Sequence, residues 1–218
     1  MTEAVAQPET FRGLAGRCWL SWSASIAVIA ATLAVFSYTL VDQPVAWWAY
    51  THLPPGTRGQ HFFDEMTHFG SSGPWLLGAG VAFVICLVLG LRRRAADAAL
   101  VFAAVAAAGL LVNVVKAILG RARPEALFLH DLYGFEFFHT NYALTGFPSG
   151  HSATIGAAAT VLTLFWPKLW PVWLIFALVV AGSRAILTAH YVSDVTLGLA
   201  TGVVITLALN ALWMRVVR

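Results

Sequence analysis

The chain has 218 residues, 59% of them hydrophobic and only 11% charged, with a formal net charge of +3. A soluble domain carries about 25% charged residues, so this composition excludes an ordinary soluble enzyme and leaves little room for a soluble module. The apolar residues fall in long blocks, which points to an all-α, polytopic membrane protein forming one domain over residues 1–218.

Six blocks have the length a bilayer demands of a helix, roughly 17–25 residues: about 18–40, 73–91, 97–116, 150–166, 169–187 and 192–213. Residues 1–17 read as a short, mobile polar lead. The first block is longer than a signal-peptide apolar region of about 7–15 residues, and Arg17 separates Gly16 from Cys18, against a lipoprotein cleavage site. It is read as a retained helix. Residues 41–72 form the first outer connection, punctuated by Pro44, Pro54, Pro55 and Gly56 and loaded with Trp47, Trp48, Tyr50, Phe62 and Phe63. Aromatic rings of this kind settle at headgroup level, so short interfacial helices are expected at about 43–52 and 59–69. His52, His61 and His68 lie here without a tight ligand pair and are read as an interfacial polar face. No metal site is expected.

Arg92, Arg93 and Arg94 separate the second and third spans and are read as a topology signal, not a nucleic-acid patch. With Arg12, Arg17, Lys168, Arg215 and Arg218 they fall on one side of a six-span chain. The positive-inside rule makes that side cytoplasmic, with both termini inside. Residues 120–149 form a second outer connection, rich in Phe and Tyr, that is expected to cap the bundle. Cys18 and Cys86 lie near separate spans, and no disulfide is expected. Gly198 and Gly202 in the sixth span permit close helix contact, which is read as internal packing.

Three clusters at the outer ends of spans three to six carry the chemistry. Lys116 and Arg123 are seven residues apart, two turns, and would share a face if the helix continued past Gly120; Arg121 would point elsewhere. Taken alone, they could equally snorkel to the headgroups. Pro148-Ser149-Gly150-His151 opens the fourth span: Ser149 is a good N-cap, Gly150 allows close approach, and free N–H groups at a helix start bind phosphate. Arg184 closes the fifth span, and His190 and Asp194 open the sixth. An i, i+4 pair shares a helical face, so Asp194 is expected to accept the Nδ1–H of His190, leaving Nε2 as a free nucleophile. Taken alone, a structural His–Asp pair reads equally well.

The pattern Lys-x6-Arg-Pro, Pro-Ser-Gly-His, Ser-Arg-x5-His-x3-Asp resembles the type-2 phosphatidic acid phosphatase superfamily. That group includes membrane lipid phosphatases, bacterial acid phosphatases and vanadium haloperoxidases. The resemblance runs from Lys116 to Asp194 within a motif-bearing core at 97–213, and every signature position is matched. It implies that His190 attacks phosphorus, forming a phosphohistidine, with Asp194 orienting it. His151 would protonate the leaving oxygen and then activate water. Lys116, Arg123 and Arg184, with Ser149 and the Gly150 amide, would hold the phosphoryl oxygens. No metal and no cofactor is required.

The expected substrate is a lipid phosphate or diphosphate that arrives through the bilayer: phosphatidate, phosphatidylglycerophosphate, undecaprenyl diphosphate or a lipid A phosphate. The expected location is a bacterial inner membrane, with the site on the periplasmic or extracellular face. A lipid-to-lipid phosphotransferase using the same residues, or a non-hydrolytic carrier of phosphate lipids, would share much of the pattern.

Overall fold

The computed structural model describes residues 10–54, 56–138 and 141–216. Residues 1–9 of the expected lead and Arg218 of the inner charge set lie outside them. The described residues form nine α-helices: α1 (Phe11–Leu40), α2 (Asp42–His52), α3 (Arg58–His68), α4 (Ser72–Val88), α5 (Arg92–Leu119), α6 (Pro124–His130), α7 (Gly150–Phe165), α8 (Trp170–Ile186) and α9 (Val192–Val216). Two short 3₁₀ turns, Tyr142–Leu144 and Pro167–Leu169, precede α7 and α8. Among the described residues there is no strand, only one isolated bridge between Arg121 and Phe135.

Five stretches are long and apolar enough to cross a membrane: Phe11–Leu40, Arg58–Val88, Arg92–Leu119, Pro167–Ile186 and Val192–Arg215. The fourth expected span, α7, is apolar but shorter, at 16 residues. The chain is an integral membrane protein.

The expected lead is shorter than the sequence implied. α1 starts at Phe11 because Thr10 caps it, its hydroxyl accepting the Gly13 N–H at 3.2 Å. Arg12 then pairs with Asp97 of α5 at 2.6 Å and donates to Asn210 of α9 at 3.0 Å. Three helix ends are tied together by one guanidinium that the sequence offered only as a topology charge.

α7 is the central rod. Its buried face reads Ala, Gly, Ser and Thr for most of its length, which lets neighbours approach closely where no solvent-driven force pushes helices together. One side packs Ala153, Ala157 and Val161 on Ala104, Val105, Ala108 and Val112 of α5. The other packs Ile155 and Ala158 on Ala177, Val180 and Ala181 of α8.

Contact with α9 is closest of all. A Cβ on Gly198 would fall on the Ser149 carbonyl oxygen and lie 2.9 Å from Ser152 Cβ; one on Gly202 would fall on the Ala153 carbonyl and lie 2.5 Å from the Ala157 nitrogen. The two glycines therefore serve internal packing. Overpacking a core ordinarily costs about 1–3 kcal/mol, and here the obstacle is backbone, which cannot swing aside. Gly202→Val is expected to lower the melting midpoint in detergent by several degrees or to prevent recovery of monodisperse protein. An unchanged melt would contradict this packing.

The two outer connections pack on each other. Phe128 of α6 meets Trp47 and Tyr50 of α2 at 4.8 and 4.4 Å between ring centroids. Tyr133 stacks on Tyr38 of α1 at 5.0 Å, and Phe135 meets Phe147 at 5.4 Å. This aromatic layer covers the end of the bundle where α5 finishes and α7 and α9 begin.

Candidate active site

α5 stops at Leu119 because Gly120 takes a left-handed conformation, φ 53°, the usual way a helix ends. The shared helical face expected of Lys116 and Arg123 therefore does not exist. Arg123 instead precedes Pro124 at the start of α6, and its guanidinium is held by three carbonyls: Tyr142 at 2.8 Å, Ala189 at 2.9 Å and Thr145 at 3.3 Å. It also lies 3.9 Å over the Tyr142 ring, a favourable placement for a cation. So clamped, it presents Nη1 to His190 Nε2 at 3.5 Å.

His190 is buried, 3% exposed, in the turn between α8 and α9. Its backbone N–H donates to the Arg184 carbonyl at 3.1 Å, which ties the turn to the end of α8. Its Nδ1 lies 2.7 Å from the Gly146 carbonyl oxygen. A carbonyl can only accept, so Nδ1 carries the proton and Nε2 presents its lone pair toward Arg123. Burial first, then the charges of Arg123, Lys116 and Arg184, pull the His190 pKa well below 6.5. The imidazole is neutral at pH 7 and able to act as a nucleophile.

The expected partner of Nδ1 is corrected here. Asp194 Oδ2 is 3.7 Å from Nδ1 and instead accepts the Tyr191 N–H at 2.9 Å. The i, i+4 rule requires both residues on one helix, and α9 begins only at Val192. Asp194 therefore acts in the first turn of α9 as a capping carboxylate, reaching back to the residue before the helix. Its other oxygen is taken by Arg121.

Ser149 sits at the N-cap of α7 with its hydroxyl 3.4 Å from the Ser152 N–H. Its own N–H donates to the Asp194 carbonyl at 3.0 Å, which docks the start of α7 against α9. Gly150 and His151 occupy the first turn. The charged and titratable neighbours acting on His151 are Arg184, His190, Lys116 and Arg123. Arg184 donates from Nη1 to Thr67 Oγ1 at 2.9 Å, while its buried Nε has no partner. A guanidinium N–H buried among other cations is a charge-assisted donor that suits an anion. Lys116, Arg123, His151, Arg184 and His190 thus lie within electrostatic reach of one another, with Asp194 3.7 Å from the imidazole; Ser149 and Gly150 open the helix that carries His151, and the Ser149 hydroxyl accepts from Ser152 Oγ at 2.9 Å.

Sequence reasoning did not find the α3–α4 corner. Thr67 holds Arg184; Ser71 Oγ lies 3.4 Å from His151 Nε2; and a Cβ on Gly70 would come within 2.8 Å of His151 Cβ. No motif marks these residues. Asp42 and Arg121 were also missed, although a lone acid beside a membrane span is a signal in itself.

Comparisons with known proteins identify the family. The PAP2 superfamily profile matches residues 97–218. Two relatives are each 30% identical over 195 residues, 84% of this chain: a lipid A 1-phosphatase of Rhizobium johnstonii, 77% covered, and one of Rhizobium etli, 81% covered. The fold matches the crystal structure of a transmembrane PAP2-type phosphatidylglycerolphosphate phosphatase from Bacillus subtilis with a TM-score of 0.61. That match is 19% identical and covers 89% of this chain and 96% of the other. The chain belongs to the PAP2 superfamily and is a membrane-embedded phosphatase of that group.

Proposed function

We propose that the protein removes the phosphate of a lipid A-class lipid by hydrolysis through a phosphohistidine on His190. The observation that carries this reading is the His190 ring itself. Its Nε2 lone pair faces Arg123 across 3.5 Å, with its proton held on the opposite nitrogen by Gly146. The lipid A assignment is supported by the two relatives of that name. Lys116, Arg123, Arg184 and the start of α7 would bind the phosphoryl oxygens.

Nε2 attacks phosphorus as the P–O bond to the lipid breaks, and His151 gives its proton to the leaving oxygen. Water then attacks the phosphohistidine; His151 takes its proton, the P–N bond breaks, and orthophosphate leaves. The same group serves as acid and then as base, as a two-step transfer requires. The single domain is read as crossing the membrane six times, with α7 as the short span and α2 and α3 in the interface. Both termini lie in the cytoplasm, and the site opens at the outer face.

Purified protein assayed against lipid A, phosphatidate, phosphatidylglycerophosphate and undecaprenyl diphosphate is expected to release orthophosphate fastest from lipid A. Hydrolysis of any other lipid at tenfold higher kcat/KM would overturn the substrate assignment.

Phosphoryl transfer needs positioning and charge stabilisation above all, and three fixed cations with a helix start can supply both. Activity in EDTA is therefore expected to stay within about twofold of the untreated rate. A fall below about a tenth, restored by Mg²⁺, would contradict it.

A further inference from the structure

Arg121 is fully buried and lies outside the ring of groups that would touch phosphate. Its guanidinium is boxed by the rings of Tyr191, Tyr38, Tyr133 and Phe135, at 4.6, 4.9, 5.4 and 5.4 Å. Such a box would suit an apolar side chain. A buried ion pair contributes little to net stability compared with one. What the guanidinium adds is connection. Nη1 pairs with Asp194 and donates to Ser193 Oγ at 2.6 Å; Nη2 pairs with Asp42 of α2 at 2.7 Å. Asp42 in turn accepts the Ser193 N–H at 2.9 Å, capping α9 from another helix. Burial opposes the charge on Arg121, but Asp194 and Asp42 overcome it, and its pKa is raised.

The backbone of Arg121 acts on the same imidazole from the other side. Its carbonyl accepts the Gly146 N–H at 2.8 Å, and the Gly146 carbonyl accepts His190 Nδ1–H at 2.7 Å. The fit is close: a Cβ on Gly146 would lie 3.0 Å from the Arg121 oxygen and 3.3 Å from Arg123 Cγ. One residue therefore governs both groups beside Nδ1. Its side chain holds the Asp194 carboxylate off, at 3.7 Å, and its main chain holds the neutral carbonyl on.

We propose that Arg121 and Asp42 are positioning residues of the phosphatase reaction, fixing which acceptor His190 Nδ1 engages and so the direction and basicity of Nε2. This rests on the reading of His190 as the nucleophile. Five titratable or charged groups face the ring: Lys116 from α5, Arg123 before α6, His151 from α7, Arg184 from α8 and Asp194 from α9. Four are cations or imidazoles; Asp194 is the one anion. Releasing it toward Nδ1 strengthens proton binding on the ring. The imidazole then titrates higher, so the acid limb of kcat/KM, which reports the free enzyme, moves to higher pH.

The test is the double variant Arg121→Gln with Asp42→Asn, which removes one charge of each sign and leaves the net charge of the cluster unchanged. Its acid limb is expected to rise by about one pH unit, the effect of a carboxylate brought next to the ring. Its kcat is expected to fall about tenfold or more with KM little changed. Adding Asp194→Asn should abolish the rise. Arg121→Lys, which keeps the charge but replaces the two separate nitrogens on Asp194 and Asp42 by one ammonium on a flexible stem, guards against a double variant that fails to fold; its limb should move the same way by a smaller amount. A purely structural role would lower the yield of active enzyme and leave the pH profile in place. Unmoved acid limbs in both folded variants, or a rise that survives Asp194→Asn, would overturn the proposal. His190→Asn keeping activity would instead sink the nucleophile reading, whatever the Arg121 variants do.

Discussion

His190→Asn is expected to lower turnover by at least about 10³-fold, the scale of losing a covalent nucleophile, while the protein stays folded. Asn places an amide N–H near the position of Nδ1, so the bond to the Gly146 carbonyl can be kept. What it removes is Nε2, the atom facing Arg123 at 3.5 Å. Loss of activity then reports chemistry and not collapse of the turn, and an unchanged melting curve would verify that separation. A variant retaining a tenth of wild-type turnover would show that another group attacks phosphorus. A non-hydrolytic carrier would likewise keep its lipid flux in this variant.

Arg123→Lys is the second large effect. Arg123 spans two segments: its Nε and Nη2 hold the 142–145 turn through the Tyr142 and Thr145 carbonyls, while Nη1 holds Ala189, next to His190. A planar fork can do this; an ammonium on a flexible stem cannot, so the substitution is not conservative. Removing one preorganised donor to a developing oxyanion costs about 10²–10³ in rate, and kcat/KM for Arg123→Lys is expected to fall by that amount. The loss should appear mainly in kcat if the guanidinium meets the transition state more tightly than the substrate. A variant within about threefold of wild type would show that positive charge alone suffices there.

Much of the architecture was legible because hydropathy and length bear directly on helices in a bilayer. α4, α5, α7, α8 and α9 lie where the apolar blocks put them, and α2 and α3 occupy the aromatic connection. The clustering of Lys116, Arg123, His151, Arg184 and His190 was legible as well, because three short motifs sit at corresponding ends of successive helices, and antiparallel threading brings such ends together. The failures share one cause: helical rules were applied where the helix had ended. Gly120 stops α5 before Arg123, and α9 starts after His190, so neither the two-turn spacing of Lys116 and Arg123 nor the four-residue spacing of His190 and Asp194 has helical geometry behind it. Beyond those points the partners are long-range. Asp42 meets Arg121 across 79 residues, and Thr67 meets Arg184 across 117. No local spacing encodes such pairs, although each residue is a polar or charged group placed where burial demands a partner.

The most direct measurement is to capture the covalent intermediate. The protein would be mixed with lipid labelled in the phosphate to be cleaved, denatured within the first turnovers, and digested for peptide mapping. The expected result is acid-labile, alkali-stable label on the peptide carrying His190, absent from His190→Asn. Orthophosphate released in a burst with no label on that peptide, or equal labelling of His190→Asn, would contradict an attack on phosphorus by this imidazole.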